Sequence, residues 1–238
     1  MRPRRRPGAD RVPAEAGLNR FVWDLHYPDA ATFPGLIMWA GNVRGPAIVP
    51  ASYKVRLTAD GKSQTQTFEV KKDPRLNTTP QDYARQLEVA LQIHNKLSQT
   101  NQAVIQIRDI RKQLDAYTER VKDAKVVDAA GALNQKLTAV EEALYQTKNR
   151  ASEDPLNFPI KLNNKLAALE GTVESSDDPP TVQTTEVYEG LASQVNAQLE
   201  TLRKLVGTDL AAFNRLVHDQ NVPAVIVAPT GSSDGAAR

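Results

Sequence analysis

The sequence predicts an α+β chain: a small Ig-like antiparallel β module followed by an up-down helical bundle with one very long helix. Three observations predict it. Residues 79–121 contain neither Gly nor Pro after Pro80, and their apolar positions return at helical spacing. An Asp60-Gly61 pair sits between two alternating stretches, the pattern of a tight hairpin. Beyond residue 121, further amphipathic stretches follow at short intervals, and each needs a partner to cover its apolar stripe.

The first 16 residues read as a disordered basic tail, with Arg2, Arg4, Arg5, Arg6 and Arg11 set among Pro3, Pro7, Gly8 and Pro13. The β module is expected over 17–76. Phe21, Trp23 and Leu25 alternate with Val22 and Asp24 as in a half-buried strand, and Tyr27-Pro28-Asp29 turns the chain. The apolar run 33–39 reads as a short buried strand, and 40–51 as a loop cut by Gly41, Gly45, Pro46 and Pro50. Tyr53, Val55 and Leu57 face one way and Ser52, Lys54 and Arg56 the other. Phe68 and Val70 lie on the returning strand. Short strands between Pro/Gly turns suggest a small or partial sandwich.

The helical bundle is expected over 77–227. Thr79 is placed as N-cap, Pro80 as first helical residue, and Asp82 puts a carboxylate in the first turn. If helical throughout, about 42 residues at ~1.5 Å each make a rod of about 60 Å. The polar run 98–102 interrupts its apolar face and reads as a bend or a thin place in the core. A second helix is expected from a cap at Asp128 to about Asn149, with Leu133, Leu137, Val140 and Leu144 buried. A third is expected to open at Pro159, with Leu162, Leu166, Leu169 and Val173 as its stripe. After the acidic linker 174–180, Thr185 is placed as cap of a fourth helix that Gly207 breaks. A last helical stretch covers 209–220, 222–227 reads as extended, and 228–238 as a disordered tail.

Composition excludes several classes of function. Thirty basic against 28 acidic side chains leave a net charge of +2, too even for a dedicated nucleic-acid partner. With no cysteine, disulfides, thiolate nucleophiles and cysteine zinc sites are ruled out. No apolar run reaches the roughly 18–20 residues of a membrane span, and no apolar core of a signal peptide follows the N-terminal arginines. His26, His94 and His218 lie in three different elements and form no metal-binding pattern, so no metal or cofactor is expected. His94, on the apolar stripe, reads as a satisfied core histidine. Glu141-Glu142 reads as a wet helical face and Asp177-Asp178 as linker, so neither pair is taken as the facing carboxylates of a glycosidase. No catalytic residue is assigned. Among the aromatic residues, Trp23 and Tyr53 read as core, while Trp39 and Tyr27 remain candidates for stacking on a sugar ring.

Three segments carry a family resemblance. They are Gly17-Leu18-Asn19-Arg20-Phe21-Val22-Trp23-Asp24-Leu25 with Tyr27-Pro28-Asp29-Ala30, then 53–61 with 70–75, and most specifically Asp154-Pro155-Leu156-Asn157-Phe158-Pro159-Ile160-Lys161-Leu162-Asn163-Asn164-Lys165-Leu166. Together they resemble the C-terminal region of large bacterial proteins with sortilin-like (VPS10-type) BNR-repeat β-propellers, often labelled glycosyl hydrolases. The resemblance covers 17 to about 227. It implies a C-terminal piece of a secreted parent protein, with an upstream propeller domain as partner and an extracytoplasmic location. The expected role is that of a non-catalytic accessory region for attachment or assembly. The alternatives are a part of a glycoside hydrolase, or a carbohydrate-binding β module. Any hydrolase label would rest on the propeller, which is not in this sequence, and no family catalytic residue falls in this region.

Overall fold

The computed structural model describes residues 13–121 and 123–218. The fold is mixed: a two-stranded antiparallel sheet and a set of helices, one of them very long. The elements are β1 (Ala51–Ala59), β2 (Lys62–Val70), α1 (Pro80–Arg120), α2 (Ala124–Leu144), a 3-10 turn (Asp154–Leu156), α3 (Leu162–Val173), α4 (Val182–Lys204), a π-helical segment (Leu205–Leu210) and α5 (Ala211–His218).

Helix α1 starts where its sequence says it should. The Thr79 hydroxyl accepts from the Asp82 amide at 3.2 Å and the Asp82 carboxylate accepts from the Thr79 amide at 3.0 Å, a reciprocal capping box with Pro80 behind it. Its buried face includes Ile93, Leu97, Val104, Ile107 and Leu114. Two shorter helices lie against it in succession. Helix α2 covers the later half, where Arg111 reaches Asn134 and Arg108 reaches Glu141. Helix α3 covers the earlier half, with Asn101 against Asn163, His94 against Glu170 and Gln86 bonded to the Val173 carbonyl. In both cases partner numbers rise as α1 numbers fall, so both run antiparallel to α1. Helix α4 and its continuation return beside α1 in the same direction, from Tyr188 on the Gln92 carbonyl to Phe213 on the Tyr117 ring.

The remaining face of this assembly is closed by residues 25–48, an irregular strap. The strap folds back on itself: the Tyr27 amide donates to the Pro46 carbonyl and the Ala30 amide to the Val43 carbonyl, at 2.8 and 2.7 Å. Its tip then presses Ala30 and Phe33 into the common core. This replaces two expected strands. Residues 21–25 join no ladder, and their nearest sheet-like contact is the single bridge of His26 to Ala47. The run 33–39 turns sharply at Gly35, whose φ is +78°, so its apolar residues face helices instead of a sheet. The Ig-like module expected over 17–76 is therefore represented here by one hairpin and this strap. Prolines at 28, 34, 46 and 50 remove the amides that further ladders would need.

The polar run 98–102 is a second correction. Helix α1 continues through it, and its side chains receive the strap. The Ser98 hydroxyl accepts from the Ala31 amide, the Asn101 amide group donates to the Ala31 carbonyl, and Asn101 in turn accepts from Asn163. Helix boundaries also differ. Asp123, not Asp128, caps α2 through the amides of Lys125 and Val126, and α2 ends at Leu144, not near 149. Helix α3 begins at Leu162, the proline at 155 opening the short 3-10 turn before it. Thr181, not Thr185, caps α4. Gly207 does not break the fourth helix off from the last stretch but lies in the π-helical segment that joins α4 to α5. The expected stretch 222–227 and the tails 1–12 and 228–238 lie outside the described residues.

Candidate functional site

Beside the helical body stands the hairpin, where strand backbone and apolar side chains are both offered to solvent. Asp60 and Gly61 take φ of 49° and 73°, the positive pair a two-residue turn needs, and the ladder runs without a bulge from Ala59–Lys62 to Ala51–Val70. Among the described residues, no helix packs along either strand. Only the foot is covered: Trp23 meets Tyr53 and Phe68 edge-on at 6.3 and 6.4 Å, and Tyr53 and Phe68 stack at 5.8 Å. The Trp23 indole N–H donates to the His26 carbonyl and the Tyr53 hydroxyl to the Val49 carbonyl. Burial, followed by the neighbouring Tyr27, raises the Tyr53 phenol above its ordinary value. Beyond this foot Val55 and Leu57 are 54% and 58% exposed.

Behind the foot lies a cleft of about 230 Å³ between the hairpin, the start of α1 and the end of α3, with Val49, Val70, Lys72, Tyr83, Glu174 and Asp177 among its walls. Much of its charge is already engaged in holding the chain. Lys72 donates to the carbonyls of Leu76 and Thr78, Glu174 accepts from the Ala47 amide at 2.8 Å, and Arg75 clamps Asp73 and lowers its pKa. Tyr83 is raised, first by burial and then by the nearby negative charge of Asp177. The cleft is a seam between the hairpin and the helices.

The two aromatic residues considered for sugar contact are not assembled into one site. Tyr27 stands by the hairpin foot and is 36% exposed. Trp39 is clamped by its backbone: its amide donates to Asn164 Oδ1 at 2.7 Å and its carbonyl accepts from Asn164 Nδ2 at 2.6 Å, leaving the side chain 41% exposed. The strap reaches Glu174 by Ala47, beside His26, so about 15 Å of helix rise, ten residues at ~1.5 Å, separates the two neighbourhoods.

The buried polar groups belong to the scaffold. Glu141, expected on a wet face, is 2% exposed and accepts from Arg108 Nε at 2.7 Å and Arg111 Nη1 at 2.6 Å. Arg108 also lies over the rings of Phe33 and Tyr145, at 4.6 and 5.3 Å from their centroids. The Tyr145 hydroxyl donates to the Gly35 carbonyl and accepts from the Ile37 amide. One cluster thus fastens α1, α2 and the strap. The sequence did hold a signal for Glu141: it falls four residues after Leu137 and three before Leu144, on the buried stripe itself. His94 is buried as expected, and its ring nitrogen lies 2.9 Å from Glu170 Oε1. Burial raises the Glu170 carboxyl, and the His94 contact pulls it back.

Among the described residues, no group of three or more His, Asp or Glu side chains is placed to hold a metal ion, and no helix is long and apolar enough to cross a membrane. No protein family, characterised protein or solved structure matches the chain.

Proposed function

We propose that this chain is a non-catalytic accessory region of a larger, extracytoplasmic propeller protein, serving its attachment or assembly. In this reading residues 17–76 act as an Ig-like module and 77–227 as an up-down bundle that carries it. The observation that supports it is the hairpin, which has no third strand among the described residues and leaves Val55 and Leu57 exposed. Val55 and Leu57 lie on one face of β1, and exposed apolar side chains that adjoin on one sheet face can serve as a contact surface for another protein. The test is capture of a separately expressed propeller domain of the parent protein by the purified chain. Val55→Lys with Leu57→Lys is expected to abolish capture while leaving helical content and melting unchanged. Equal capture by both forms, or none by the wild type, overturns the docking role. Turnover of any chromogenic glycoside that is lost in Asp177→Asn or Glu174→Gln would restore the hydrolase alternative.

A second reading, carbohydrate binding, is favoured by the exposed and clamped Trp39. It predicts glycan-array binding that Trp39→Ala removes.

A further inference from the structure

We propose that the buried pair of His94 and Glu170 is a proton-dependent latch for the strap, closed while the pair holds one proton and loosened when rising pH removes it. The two side chains join α1 to α3, with His94 Nδ1 2.9 Å from Glu170 Oε1, and the residues are 6% and 3% exposed. A contact of that length needs a proton between its two atoms, whichever of them carries it. The other carboxyl oxygen, Glu170 Oε2, is buried and meets no donor. While the pair holds its proton it has no net charge, and a single unpartnered oxygen costs little by comparison. Without that proton the pair is a buried carboxylate with one bare oxygen, which is expensive until a donor arrives. No side chain among the described residues supplies that donor, so water must.

The way in lies under the strap, whose attachments flank the pair on both helices. On α1, one turn beyond His94, the Ser98 hydroxyl accepts from the Ala31 amide at 3.1 Å. On α3, Asn164 clamps Trp39 to one side of Glu170, and Glu174 accepts from the Ala47 amide to the other. Between them Gly41 lies so close to α3 that a Cβ there would stand 2.8 Å from the Cβ of Ala167. Residues 164, 167, 170 and 174 follow one another at spacings of three and four, so they share one side of the helix. Admitting water to Glu170 therefore displaces the strap.

The surrounding charges act in the same direction. Glu174, one turn along α3, repels a charge on Glu170, while His94 from α1 favours one. The strap's Arg44 is engaged by Asp24 and His26, and Glu141 of α2 by Arg108 and Arg111. Toward α4, Lys96 donates to Asn196 and Tyr188 to the Gln92 carbonyl. Burial outweighs these charges and raises the Glu170 carboxyl, so its proton is kept above the ordinary value of 4.5 and lost as pH rises through a higher one.

Amide hydrogen exchange of the full chain from about pH 5 to about pH 9, in the wild type and in Glu170→Gln, tests this. Gln keeps the volume and a donor toward His94, and it cannot ionise. At the acid end the amides of Ala31, Trp39 and Ala47 are expected to be protected equally in the two proteins, within about twofold. At the alkaline end they are expected to be at least about fivefold less protected in the wild type, while amides around Leu137 in α2 stay within about twofold. The carboxyl 13C shift of Glu170 or the ring 15N shifts of His94 should move through the same midpoint. Strap protection that stays equal in the two proteins at every pH overturns the inference. So does a wild-type loss that α2 shares equally, which would be plain destabilisation. If Glu170→Gln does not fold, the wild type decides alone. Its strap amides must then lose protection relative to α2 at the midpoint of those shifts, and shifts that stay flat across the range overturn the latch.

Discussion

Replacing Glu141 with Gln tests whether the buried cluster on α1 and α2 holds the fold. The substitution keeps the volume and removes the charge. Both carboxylate oxygens now accept from guanidinium groups, at 2.7 and 2.6 Å, and each such charge-assisted bond is worth about 1.5–3 kcal/mol. Removing one partner of a fully buried ion pair typically costs about 3–5 kcal/mol. Here the survivors relax: the Arg108 and Arg111 side chains are 34% and 31% exposed and recover part of their hydration. Gln retains one acceptor, but its amide group meets an arginine donor on the other side. The expected loss is about 2–3 kcal/mol, above the 0–1 kcal/mol of a surface ion pair. Urea unfolding followed by circular dichroism measures it, with Glu142→Gln, on the exposed neighbouring position, as a control expected within about 0.5 kcal/mol. A Glu141→Gln loss under about 0.5 kcal/mol would refute the argument and return Glu141 to the wet face that its doublet suggests.

Two further outcomes are expected. Burial raises the Glu170 carboxyl, so its contribution to stability is fully present below the ordinary value of 4.5 and is lost as pH rises through its own higher value. Glu170→Gln, which cannot ionise, therefore gains on the wild type as pH rises from 4 to 7; melting curves that converge or cross the other way contradict this. Gly45→Ala would put a Cβ atom 2.2 Å from the Tyr27 carbonyl oxygen and 2.5 Å from that of Pro28. The doubled strap must then open, and limited proteolysis within 25–48 should accelerate several-fold with helical content unchanged.

Local signals in the sequence proved the most legible. The Thr79-Pro80-x-Asp82 cap, the Asp60-Gly61 turn and the stripe of Leu133, Leu137, Val140 and Leu144 each encode their structure within a few residues. The strap was not legible, because its aromatic and apolar residues mimic the alternation of a strand while their partners lie on distant helices. Ser98 and Asn101 looked like a weak place in α1 for the same reason: each satisfies strap backbone that local pattern cannot reveal. Glu141 is misleading in the sequence because adjacent acidic residues suggest a solvated face, and only Arg108 and Arg111 on the facing helix explain its burial. At the hairpin, the turn and the facing of side chains were readable. That Val55 and Leu57 stay bare was not, since it depends on which other strands fail to form.

The strap also orders events in time. Its hydrogen bonds join residues 67 apart at Ala31 and Ser98, 125 apart at Trp39 and Asn164, and 127 apart at Ala47 and Glu174. Contacts closed over such spans form late, after the helices that supply both sides of the groove exist. The early part of the chain is therefore the last to settle. When the folded protein breathes, the amides of Ala31, Ile37 and Trp39 should exchange with solvent before those in the middle of α1.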